Sequence, residues 1–319
     1  MAKTISPTHT PTAELAGASR DRRVRIEHGV NWGRVAAWAV LVGLLLVTLF
    51  PFFWMLRTAL STNPELVKGS QSLAPPDGTL LNFKRALGLA SAEEITAVGA
   101  EGSASINFLA ALRNSVIVCT LITIGQLVFC SMAAYAFARL RFPGRDKLFF
   151  LFLTAMMIPP VFTLIPNFVL VKDLGLLNTY AGIVAPYLLM TPFAVFFLRQ
   201  FFLNISREVE EAAILDGAGR WRIFRQLIVP MSIAPLTTLA VLTYITAWNE
   251  YMWPLVVGDD ESVRVLNVAL NAFRAGTPIA TPDWSGLMAA TFLAAAPIIV
   301  GFLLLGRRMV DSIGFSGIK

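Results

Sequence analysis

Apolar residues in this chain come in long unbroken runs rather than in alternation. Six runs approach or exceed the roughly 20 residues that a helix needs to cross a hydrocarbon core. They cover about 35–56, 111–138, 148–170, 181–202, 231–254 and 285–306. Continuous runs predict helices, since the strands of a membrane barrel would alternate apolar and polar positions. The pattern predicts an all-α polytopic membrane protein with six transmembrane helices. The first run is expected to be retained. Its apolar core is too long for a signal peptide, and Trp54-Met55-Leu56-Arg57 stands where a small-residue cleavage site would follow.

The segments between runs differ in kind. Residues 1–30 mix Ser, Thr, Pro and charge with no apolar period, which predicts a disordered cytoplasmic tail ahead of a transmembrane domain over 31–319. The connection over about 57–110 is too long for a turn; within it, residues 82–87 have helical spacing and predict a surface helix. Pro143-Gly144 predicts a tight reversal between the second and third runs. Pro159-Pro160 and Pro166 lie in the third run, Pro186 and Pro192 interrupt the fourth, Pro235 opens the fifth and Pro297 breaks the sixth. Each proline frees a carbonyl that needs a partner inside the protein or in a wet cavity. Prolines across four helices therefore predict a moving, water-lined core.

Composition sharpens this picture. The 319 residues are 56% hydrophobic and 14% charged, too little polar surface for a soluble chain. The net charge of +6 is explained by topology. Lys3, Arg20, Arg22, Arg23, Arg25 and Arg34 precede the first run. Arg139, Arg141, Arg145 and Lys147 lie between the second and third, and Arg199, Arg207, Arg220, Arg222 and Arg225 near the fourth-to-fifth connection. Arg307, Arg308 and Lys319 close the chain. The excess of positive charge on these segments places them, and both termini, in the cytoplasm. No nucleic-acid partner is implied.

Cys119 and Cys130 fall in one helix, too far apart to pair, and read as packing residues. His9 and His28 lie in the tail, so no metal set, catalytic residue or cofactor is predicted. There is no Gly-x-x-x-x-Gly-Lys-Ser/Thr phosphate loop, so any nucleotide hydrolysis belongs to another chain. A carrier driven by an ion gradient would hold charged residues deep in several helices, and these runs hold almost none.

One polar segment, 204–230, is the most informative. Ser206 or Asn204 can cap a helix whose first turn carries Glu208, Glu210 and Glu211, acidic residues suited to the positive end of a helix dipole. Ala212 and Ala213 allow close approach of another surface, Asp216-Gly217-Ala218-Gly219 ends the helix, and a second short helix bears Trp221 and Phe224 beside Arg222 and Arg225. Pro230 marks the return to the bilayer. The product is a knob with a small-residue face, able to grip a protein or to lie on headgroups.

This segment resembles the EAA loop of ABC importer permeases: Glu-Ala-Ala, three residues, Gly, nine residues, Ile, one residue, Leu-Pro. Here Glu211-Ala212-Ala213 is followed by Gly217 at that spacing, with Leu227, Val229 and Pro230 in the closing positions. Ala134-Tyr135-Ala136-Phe137-Ala138-Arg139-Leu140, Trp248-Asn249-Glu250-Tyr251 and the tail Gly314-Phe315-Ser316-Gly317-Ile318-Lys319 are similar to segments of maltose-type, MalG-like sugar-uptake permeases. The resemblance implies the type I importer (MetI-like) fold in the cytoplasmic membrane. It also implies a second homologous permease subunit, two cytoplasmic ATPase subunits, an extracytoplasmic solute-binding protein and a sugar substrate. Disaccharides or short oligosaccharides are implied first, with glycerol-phosphate compounds as the alternative. By the same resemblance, Glu211, Ala212, Ala213, Asp216, Gly217 and Pro230 couple to the ATPase.

Asn249 and Glu250 are the other conspicuous polar pair. An ionisable group at a membrane helix is costly and usually meets a partner or a water-filled path. About twenty residues beyond Pro230, the pair either lines a sugar path or holds the outer rim. Tyr187, Phe193 and Phe196 could stack on a sugar ring or serve as packing.

Overall fold

The structure is a computed structural model; it describes residues 32–68, 72–98, 100, 106–276 and 282–314. The expected tail over 1–30, with His9 and His28, and the closing segment 315–319 lie outside the described residues. All described regular structure is helical: α1 (Trp32–Ala59), α2 (Asn63–Val67), α3 (Leu81–Ala86), α4 (Ala92–Ala97), α5 (Phe108–Arg139), α6 (Arg145–Thr154), α7 (Pro160–Asp173) and α8 (Tyr180–Leu188). Then follow α9 (Pro192–Leu203), α10 (Arg207–Leu215), α11 (Arg220–Ile223), α12 (Val229–Met231), α13 (Ile233–Asn249), α14 (Met252–Val257), α15 (Leu266–Ala275) and α16 (Trp284–Gly314).

The chain divides into two compact units, 1–49 and 50–319. The described part of the first is the beginning of α1, whose residues 32–49 are all exposed and mostly apolar. The second unit is a bundle around α5. Among the described residues, three helices are long and apolar enough to cross a membrane: α1, α5 and the part of α16 up to Leu304. Three bent pairs would each serve as a further span: 145–157 with 160–173 at 98°, 180–188 with 192–203 at 45°, and 220–231 with 233–249 at 77°.

The prolines act unequally. The third run is not one helix. Ile158 and Pro159, each preceding a proline, take extended ψ angles of 114° and 136°. The ring of a following proline disfavours helical backbone before it, so two prolines in tandem remove two consecutive helical residues. In the fourth run Pro186 stays inside α8, and the break falls at 189–191, just before Pro192. Pro297 does not break the sixth run; it sits inside the continuous α16. The fifth run ends at Asn249, and α14 starts separately at Met252.

The two ends of α5 define the two ends of the bundle. At the Arg139 end, Tyr135, Phe149, Leu198, Phe202, Phe224 and Ile228 form one buried cluster. At the Phe108 end, Ala86, Phe108, Ala111, Leu266, Ala269 and Ala289 form another, beside a valine-rich cluster from α5, α7, α8 and 253–268. The helix expected at the surface over 82–87 forms as α3, with Lys84 exposed on one side and Asn82 and Ala86 packed into the bundle on the other. Asn82 is fully buried, its Nδ2 donating to the carbonyls of Ala59 and Ser61 at 2.8 Å each.

Buried Asn114 of α5 donates to the carbonyls of Ser262 and Arg264, and its Oδ1 accepts from the Tyr180 hydroxyl at 2.6 Å. The adjacent Ser115 hydroxyl accepts from the backbone N–H of Leu266 at 2.8 Å, at the first residue of α15. Outside the spans, Asp260 accepts from the Ser262 hydroxyl and N–H, and those bonds hold its carboxyl below the usual range.

Candidate functional site: a pinned loop and a cavity

The segment 204–230 lies at the Arg139 end. Ser206 is the N-cap of α10, its hydroxyl accepting from the Glu208 N–H at 3.3 Å. Asn204 ends α9 instead. The far end of α10 closes with two bonds: Gly217 N–H to the Ile214 carbonyl at 3.0 Å, and Ala218 N–H to the Ala213 carbonyl at 2.9 Å. This Schellman arrangement needs a left-handed residue, and Gly217 supplies it at φ 78°.

Two adjacent glutamates then divide the work. Glu210 points inward and is buried, with Oε1 2.9 Å from Arg139 Nε. The Arg139 side chain is buried too, and its Nη2 donates to the carbonyls of Phe202 and Ile205, the end of α9 and its exit. One guanidinium thus fastens α10 and α9 to the last residue of α5. Glu211 and Ala212 point the other way and are exposed, as are Asp216 and Gly217, while Ala213 is half-buried against the core cluster. Leu215 is 89% exposed and Trp221 61% exposed, two large apolar side chains standing on a polar loop.

The return to α13 is helical throughout 220–231, with 224–228 widened to π-helical spacing. Pro230 has no N–H to donate and its ring crowds the carbonyl four residues back, so a loosened turn just ahead of it follows. Pro230 itself is exposed. Buried Ser232 separates this run from α13 at the 77° bend.

A cavity of about 290 Å³ lies between α5, α8, the start of α9, and α13–α14. Its polar wall comprises Gln126, Tyr187, Thr191, Thr243, Thr246 and Glu250. Gln126 repairs the break in the fourth span: its Nε2 donates to the Tyr187 carbonyl at 3.0 Å and its Oε1 accepts from the Thr191 hydroxyl at 3.3 Å. Glu250 sits at the break between α13 and α14, where its Oε1 accepts from Trp253 N–H at 3.3 Å.

The structure parts Asn249 from Glu250. Asn249 is exposed, donates to the Ile245 carbonyl of its own helix and does not line the cavity. Tyr187 and Phe193 line it; Phe196 does not. Among the described residues no group of three or more His, Cys, Asp or Glu could hold a metal.

Sequence reasoning missed three residues here. Glu210 read as one more first-turn acid, and its partner lies 71 positions away in Arg139. Gln126 carried the one usable signal, an amide in the middle of an apolar run, which in lipid must find a partner.

A bundle of straight and broken spans, with a pinned polar loop at one end and a cavity among the breaks, defines a membrane permease subunit. The comparisons agree. Residues 126–313 match the family described as binding-protein-dependent transport system inner membrane component. The chain is 32% identical over 288 residues to the probable ABC transporter permease protein YurM of Bacillus subtilis, covering 90% of this chain and 89% of that one. It is 31% identical to the sn-glycerol-3-phosphate transport system permease protein UgpE of Agrobacterium fabrum, over 88% and 95% of the two chains. Identity to the diacetylchitobiose uptake system permease protein NgcG of Streptomyces coelicolor is 29%, over 93% and 90%.

A chain of the crystal structure of a bacterial ABC transporter involved in import of the acidic polysaccharide alginate superposes with a TM-score of 0.71 at 23% identity. That likeness covers 92% of this chain and 99% of that one, and shows the fold. The chain belongs to the family of binding-protein-dependent transport system inner membrane components. It is a multi-pass inner-membrane permease of an ABC importer with the MetI-like fold. It is not itself catalytic: ATP hydrolysis falls to a partner, and a solute-binding protein is the other partner the family implies.

Proposed function

We propose that this chain forms one half of the gated path of an ATP-driven sugar importer, taking a di- or oligosaccharide into the cytoplasm. The other half is a second, homologous permease subunit. Two cytoplasmic ATPase subunits drive the pair, and an extracytoplasmic solute-binding protein loads it. Both termini and the loop over 204–230 face the cytoplasm, consistent with the basic residues gathered there.

The single observation that carries this reading is the division of labour between Glu210 and Glu211. Glu210 is buried against Arg139 and fixes α10 to the bundle, so the exposed face of Glu211, Ala212, Asp216 and Gly217 is presented on a rigid base. Force passes between subunits only through contacts that differ between the two states of the motor. A mobile loop would absorb that difference; a pinned one passes it on, through 220–231 and Pro230, to α13. The cavity beside α13 is the segment of the path this chain contributes.

The test is ATP-driven uptake by the assembled importer in proteoliposomes carrying Glu211→Lys or Gly217→Pro. Both variants are expected to reach the membrane and to lose uptake. Normal assembly with the ATPase and normal uptake in either variant would refute the coupling role.

A further inference from the structure

Among the described residues that line the cavity, Glu250 is the one charged side chain, and none is Lys or Arg. The remaining polar lining consists of hydroxyls and the Gln126 amide, whose nitrogen and oxygen are bonded to Tyr187 and Thr191. Aromatic rings of Tyr187, Phe193 and Trp253 supply apolar wall.

From this charge pattern we infer that Glu250 is a charge-selecting residue, admitting uncharged, hydroxyl-rich solutes and turning away those that carry phosphate or carboxylate. The inference rests on the permease reading above and narrows its substrate class.

The chemistry is one of matching groups. A phosphate is all acceptor and carries negative charge; sites that hold it are built from Arg, Lys or several converging backbone N–H groups. Here it would meet a carboxylate, itself acceptor-only, in a confined space where like charges repel more strongly than in water. The N-terminus of α9 borders the same cavity, but its first residue is Pro192, which has no N–H, and a helix end carries about half a unit charge against the full charge of Glu250. A sugar hydroxyl both donates and accepts. It can donate to the Glu250 carboxylate and accept from the Thr243 or Tyr187 hydroxyl, while its C–H face rests on an aromatic ring. Relatives of this chain are named for both kinds of solute, glycerol phosphate and diacetylchitobiose, so the charge in the cavity separates real alternatives.

The experiment uses the assembled importer in membrane vesicles, with Thr246→Cys as a reporter on the cavity wall one helical turn from Glu250. Its modification rate is measured with a positively and a negatively charged methanethiosulfonate of similar size. The same complex without Thr246→Cys serves as the blank for buried Cys119 and Cys130. The cation is expected to react at least about tenfold faster than the anion, as focused fields in a cleft produce. Adding Glu250→Gln, which keeps an oxygen for the Trp253 N–H and removes only charge, is expected to bring the ratio close to one. Equal rates before that change, a faster anion, an unaltered ratio after it, or no reaction with either reagent would each overturn the inference.

In parallel, the compound taken up by the importer is identified. An uncharged solute supports the inference. A phosphorylated or acidic one overturns it while leaving the permease reading intact. Absence of ATP-driven uptake of any solute would refute the import function proposed above, and the labelling ratio would still report on Glu250.

Discussion

At each end of the bundle a buried arginine meets a buried carboxylate, but the two pairs join different kinds of element. At the Phe108 end, Arg85 of α3 meets Asp283, just ahead of α16, with 7% and 0% of the two side chains exposed. Asp283 also accepts from the N–H of Gly286 at 2.8 Å and the hydroxyl of Ser285 at 3.2 Å, capping α16, and Arg85 donates to Asn82 Oδ1 at 3.0 Å. Asn82 in turn holds the backbone after α1. That pair is the centre of a closed network among fixed elements.

At the Arg139 end, the charge contact reaches out from the bundle to a surface helix, and the arginine's remaining donors hold the chain leading to it. Burial of an ion pair is weak evidence for stability, because desolvation offsets attraction, yet removing one partner strands the other at high cost. The contrast is therefore in what each loss disconnects: a scaffold in one case, the transmitter proposed above in the other.

Three substitutions test that contrast. The largest effect on stability is expected from Asp283→Ala, which strands Arg85 and uncaps α16. A loss of about 3–5 kcal/mol should appear as a marked fall in the unfolding temperature and yield of the purified complex. Arg139→Met should cost less stability, since the loop can swing Glu210 out to water, but should reduce uptake at least about tenfold, roughly 1.4 kcal/mol or more of coupling. If uptake and unfolding temperature fell in proportion for both variants, the distinction between scaffold and transmitter would be lost. The smallest structural effect belongs to Leu215→Ser. At 89% exposure its change in stability should lie within about 0.5 kcal/mol, while uptake should drop severalfold if that side chain sits in the ATPase. Unchanged uptake would remove Leu215 from the docking surface.

Much of this architecture could be read from the residues alone, for identifiable reasons. Runs of twenty apolar residues have few other destinations, and Ser206 and Gly217 mark helix ends by local chemistry, with the cap in one and the left-handed turn in the other. The prolines were harder. A single proline such as Pro186 or Pro297 is tolerated inside a helix, whereas Pro159-Pro160 imposes extended backbone on two successive residues; counting prolines without their neighbours misplaces the break. Hardest were pairings across the sequence. Nothing local to Glu210 points to Arg139, and nothing in Asn249-Glu250 says that only the second faces the cavity, because α13 ends between them.

The bend at Ser232 has a mechanical consequence. The residue is buried, its N–H is bonded to the Val229 carbonyl at 3.1 Å, and its own carbonyl accepts from Leu236 N–H at 2.9 Å. No slack chain intervenes between the two helical arms. If 220–231 tips as a unit, α13 swings like the second arm of a crank, carrying Thr243, Thr246 and the Glu250 corner through arcs of roughly 16, 21 and 27 Å radius. With arms of about 18 and 26 Å, a shift at the loop reaches the Glu250 end enlarged about 1.5-fold.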